Sequence, residues 1–93
     1  MDTNFKAAVD SLGHWSVDTI PGARSVRITA CEADGTAHME IALENDTWAN
    51  REQAIDAMLE IMEMSFDDFA ISYVFADIGE DAAAERPRTL VYA

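Results

Sequence analysis

The sequence predicts an α+β fold: a single antiparallel sheet of four to five strands with two helices packed on one face, in the order α-β-β-β-α-β-β. Three observations predict it. An amphipathic repeat runs from Trp48 to Phe66, with Trp48, Ile55, Met58, Leu59 and Met62 at three- and four-residue steps. Two alternating runs flank Asp34-Gly35, a hairpin signal. Two β-rich segments, 69–76 and 88–93, follow the central helix.

In chain order, residues 3–12 predict a short helix. Phe5, Ala8, Val9 and Leu12 share one face, Asp2, Thr3 or Asn4 offers a cap, and Gly13 stands where a left-handed C-terminal cap is common. Residues 15–19 alternate and predict a short strand. Pro21-Gly22 reads as a type II turn, proline at i+1 and glycine at i+2.

For the hairpin, a two-residue type I′ loop at Asp34-Gly35 is expected. It pairs Val26 with Leu43, Ile28 with Ile41 and Ala30 with Met39 on one face. On the other it pairs Arg27 with Ala42, Thr29 with Glu40 and Cys31 with His38. A three-residue bulged loop would set Ile28 against Glu40, and the hydrophobic face argues against that register.

Asn45-Asp46-Thr47 ends the strand and caps the central helix. Asn50, with Gln53 three residues on, offers a second start with capping-box spacing. Residues 69–76 are apolar on both faces, which predicts a central or covered strand. Residues 78–87 carry Gly79, Glu80, Asp81, Glu85 and Pro87, with Asp77 just before, and read as a mobile acidic loop. Residues 88–93 form the last strand, with Leu90 and Tyr92 on one face and Val91 on the other. No repeat or linker divides the chain, so residues 1–93 read as a single domain.

Charge narrows the function. Eighteen acidic residues face six Lys plus Arg, a formal charge of −12. Gripping nucleic acid needs cations on phosphates, and an anionic membrane surface would repel this chain. No apolar run reaches the ~18 residues of a membrane span. The opening Met-Asp-Thr-Asn-Phe-Lys lacks the basic n-region of a signal peptide. A soluble cytoplasmic protein is expected. Cys31 is the only cysteine, so no internal disulfide forms.

The candidate site is the outer face of the central helix, where Glu52, Asp56, Glu60, Glu63 and Asp67 line up. Like charges at i, i+4 cost a helix roughly a few tenths of a kcal/mol each. No lysine on that face offsets them. The plain reading is a solvated, solubilising surface. The sharper one is a docking face for a basic protein partner, with steering by charge. A second candidate is the outer sheet face, where Ala42, Ala70, Val74 and Val91 form an apolar patch suited to a homodimer.

Weaker constellations carry less. Cys31 beside His38 has no orienting third group, so an ordinary cross-strand pair is the expectation. His14, Asp18, Cys31 and His38 have no metal-ligand spacing, so no metal is expected. Met39 and Met62 fit a core, while Met64 lies toward the side of the helix. There is no Gly-rich phosphate loop, no G-x-S-x-G and no H-E-x-x-H. These absences point to a non-enzymatic domain with no cofactor.

The order helix, three-strand meander, helix, two strands, together with the acidity, resembles the small type III secretion chaperones and their YbjN-like relatives. That resemblance implies partner binding through the sheet face. Size and charge are also similar to those of toxin-immunity, anti-CRISPR and DNA-mimic proteins, which implies an inhibitor holding a basic target.

Overall fold

A computed structural model of the protein describes residues 3–65, 67–76 and 89–92. The elements are α1 (Thr3–Thr19), β1 (Ala23–Cys31), β2 (Thr36–Leu43), α2 (Trp48–Ser65), β3 (Ala70–Phe75) and β4 (Thr89–Tyr92). The four strands form one sheet in the order β3-β2-β1-β4. This is the expected α+β class, with two helices against a four-stranded sheet.

One core joins the layers. Val9 and Leu12 of α1 and Ala54, Met58 and Ile61 of α2 pack with Val26, Ile28, Met39 and Ile41 of the sheet. Both helices therefore cover the same face. Phe5 of α1 meets the Phe69 ring edge-on, with centroids 5.5 Å apart, closing α1 against the start of β3.

Four expectations are corrected. First, residues 15–19 are helical, because α1 runs through Gly13 to Thr19. Gly13 is no cap. It is buried, and its missing side chain makes room for the Tyr92 ring. The helical pattern continues through buried Ser16, whose hydroxyl donates to Leu12 O at 2.6 Å. The helix ends at Thr19, and just beyond it Ala23 N–H donates to Ile20 O with Gly22 at φ +74. That is the expected type II turn.

Second, the hairpin loop has four residues, Glu32 to Gly35, with Gly35 N–H donating to Glu32 O and Gly35 at φ +66. The pairs are Val26 with Ile41, Ile28 with Met39, Arg27 with Glu40, Thr29 with His38 and Cys31 with Thr36. The longer loop moves every partner by two residues. A shift of two keeps each side chain on its face. The face assignment therefore survives while the pairings change, and Cys31 and His38 are not cross-strand partners.

Third, β3 pairs with β2 in parallel, so the sheet is mixed rather than purely antiparallel. Helix α2 is the crossover that a parallel pair requires. Fourth, among the described strands β3 is an edge strand and not a central one. Its apolar inner residues Ile71, Tyr73 and Phe75 are covered only in part, by the helix layer. Strand β4 pairs antiparallel with β1, Leu90 facing Ile28 and Tyr92 facing Val26, which puts Leu90 and Tyr92 on one face as the alternation predicts. The acidic segment 78–87 lies outside the described residues.

Candidate partner-binding face

Helix α2 starts where the capping residues predict. Thr47 Oγ1 accepts from Asn50 N–H at 3.2 Å, and Thr47 O accepts from Arg51 N–H at 2.9 Å. Asn50 therefore sits inside the helix rather than starting it. At the far end Ser65 O accepts from both Asp68 N–H and Phe69 N–H at 3.0 Å.

The helix is rotated from its expected setting. The buried line is Ala54, Met58, Ile61 and Ser65. Ile55 and Met62 are half-buried at its border. Trp48 is 74 % exposed and Leu59 56 % exposed, although both were expected to face the sheet. Small Ala54 and Ser65 let the helix approach closely on their side, and the large Trp48 and Leu59 are turned out. At 3.6 residues per turn the difference is roughly a quarter turn.

The rotation leaves the carboxylates in water. Glu52, Asp56, Glu60, Glu63 and Asp67 are all exposed. Asp67 lies just past the end of α2 at Ser65. No described residue forms an ion pair with any of the five. Lys6 Nζ lies 3.0 Å from Asp10, Arg27 pairs with Glu40, and Arg51 pairs with Asp46 at 2.5 and 2.8 Å. The Arg51 hydrogen bonds hold the Asp46 carboxyl below its ordinary value and the guanidinium above its own.

Arg51 also fixes which way this face looks. Its guanidinium lies 5.3 Å from the Phe75 ring centroid, so this flank of α2 stands beside β3. On that flank the surface runs from half-buried Met62 and Ile55, through exposed Trp48 and Leu59, to the acids. The opposite flank faces α1 across an open groove of about 460 Å³, lined by Ala8, Ser11, Leu12, Trp15, Met64, Ser65, Asp68 and Phe69. Met64 is 68 % exposed there. Met39 and Met58 are fully buried and serve only the core.

The outer sheet face carries the second set of candidates. Val74 is 46 % exposed, Ala70 is exposed and Val91 half-buried. Ala42 is 2 % exposed, so it has little surface to offer a partner. The Arg27–Glu40 pair lies among them. His38 Nδ1 lies 2.8 Å from Ser72 Oγ, and His14 stacks edge-on to Tyr92, centroids 5.1 Å apart. The two histidines are thus engaged separately, and Cys31 is a half-buried thiol paired in the ladder with Thr36. Among the described residues no group of three or more His, Cys, Asp or Glu is placed to hold a metal ion.

Fold and surface together define a two-layer α+β domain with an anionic, partly apolar helical face. No family model, curated protein or solved structure matches the chain. The element order behind the secretion-chaperone resemblance is itself altered, since the three-strand meander is a two-strand hairpin. Among the described residues, no helix is long and apolar enough to cross a membrane. Sequence reasoning missed the exposed Trp48 and Leu59. The signal was the 54, 58, 61, 65 spacing, hidden because two of its members are small.

Proposed function

We propose that this chain is a small non-enzymatic binding domain, of the inhibitor or immunity kind, that holds a basic protein partner on the exposed face of α2. One observation carries the reading. Five exposed carboxylates have no described cation paired with them, and they border two large apolar side chains left in water. Charge steers such a partner, while Trp48 and Leu59 supply the apolar contact that fixes it.

The test compares wild type with a triple variant, Asp56→Asn, Glu60→Gln and Glu63→Gln, in affinity capture at low and high salt. The expected result is a basic protein retained by wild type, and lost both from the variant and at high salt. Identical capture by both proteins would remove the proposal.

A second reading, a homodimer through the outer sheet face, draws on the exposure of Val74. Light scattering on wild type and Val74→Glu tests it. A dimer that the substitution splits would support it, and a wild-type monomer would end it.

A further inference from the structure

Among the described residues, no strand pairs with the outer edge of β3. Ala70 N–H donates to Gly35 O at 2.8 Å and Ala76 N–H donates to Ile41 O at 2.9 Å. With the parallel register Thr36 to Ala70 through Ile41 to Phe75, alternation turns the amides of Ser72 and Val74 toward β2. The N–H and C=O groups of Ile71, Tyr73 and Phe75 therefore point away from the sheet. Edge strands are normally blunted by charge, proline or a bulge. Ala70–Phe75 carries no charged residue, no proline and no glycine, and its register with β2 is unbroken.

We propose that the β3 edge accepts an extended, cationic peptide segment of a protein partner as a fifth strand. Main-chain hydrogen bonds to Ile71, Tyr73 and Phe75 would hold it. Alternation would put its cations on the helix side, toward Glu63 and Asp67, and its apolar side chains on the outer sheet face beside exposed Val74. Charge selects this occupant over a second copy. An antiparallel β3–β3 pair would bring together two copies of a chain of formal charge −12, each with Asp67-Asp68 leading into the strand. The choice of a cationic occupant rests on the acidic-face reading above, whereas the edge geometry does not.

The probe is a synthetic peptide of about ten alternating lysine and valine residues. Two analogues accompany it, one with alternate backbone amides N-methylated and one with glutamate for lysine. Binding is read by titration, and amide exchange at Ile71, Tyr73 and Phe75 by NMR. The expected result is binding of the lysine peptide with at least roughly tenfold slower exchange at those three amides, and no binding of either analogue. Tyr73→Pro, which removes one outward N–H and leaves the β2 ladder, should weaken binding roughly tenfold beyond Tyr73→Ala. Absent binding, binding without slowed exchange, or equal binding of the N-methylated analogue would each overturn the strand addition. Equal binding of the glutamate peptide would overturn the cationic occupant. Protected binding that survives the triple neutral variant would sink the acidic-face reading and leave the edge standing.

Discussion

The Tyr92 hydroxyl donates to Asp10 Oδ1 at 2.7 Å, tying the last described strand to the first helix. Lys6, one turn earlier, lies 3.0 Å from the other carboxylate oxygen. Together the phenol and then the ammonium hold the Asp10 carboxyl below its ordinary value of 3.8, against a smaller opposing effect of desolvation. The folded state therefore binds this proton less readily than the unfolded chain. Its contribution to stability is present above about pH 4 and is lost as pH falls through the depressed folded value. Tyr92→Phe should raise the Asp10 titration midpoint, followed by NMR, and cost about 1 kcal/mol at neutral pH. The gap between the two proteins should close under acid. A midpoint unmoved by the substitution would show that the phenol does not set it.

The same ring decides the fate of Gly13. A Cβ built there falls on the Tyr92 ring, closer than real Cβ atoms approach a neighbour. In an ordinary helix interior, glycine to alanine gains about 1 kcal/mol. Here the clash with a ring only 5 % exposed should reverse the sign, at a cost of roughly 1–3 kcal/mol. Gly13→Ala should therefore destabilise wild type and stabilise a Tyr92→Ala background. Denaturant midpoints of the four proteins form the cycle. The same sign in both backgrounds would mean the ring is not the obstacle.

The setting of α2 makes a third prediction. Met58→Ala and Ile61→Ala empty fully buried sites and should cost about 2–5 kcal/mol each. Trp48→Ser and Leu59→Gln should each stay within about 0.5 kcal/mol. Periodicity weighted by side-chain size points to the reverse ranking for Trp48 and Leu59, so urea denaturation separates the two settings.

That contrast shows what was legible in the sequence. Alternation and turn residues disclosed the hairpin, the Pro21-Gly22 turn, the Thr47 cap and the strand faces, because each is a local preference. The parallel β2–β3 pair was not legible, since strand neighbours depend on how α2 crosses the sheet. Gly13 was misread because a glycine spared for a distant ring looks like a glycine that ends a helix. The acids were legible as a stripe, yet the apolar border beside them was not. Its exposure depends on the close approach that Ala54 and Ser65 allow.

The stripe should carry a measurable cost. Glu52 and Asp56, then Asp56 and Glu60, stand four residues apart within α2, and no described cation pairs with them. Each such pair opposes the helix by roughly 0.2–0.5 kcal/mol at low salt. Glu63 and Asp67 add less to this, because Asp67 lies beyond Ser65. Neutralising Asp56, Glu60 and Glu63 should therefore raise the melting temperature by a few degrees in dilute buffer. Added salt screens wild type more than the variant, so the gap should shrink toward zero near 1 M. A stabilised variant that no longer captures a basic protein would mean that the surface is tuned for contact at the expense of the isolated fold. A melting temperature that falls on neutralisation would instead show that those carboxylates make favourable contacts, and the face would have to be reassigned.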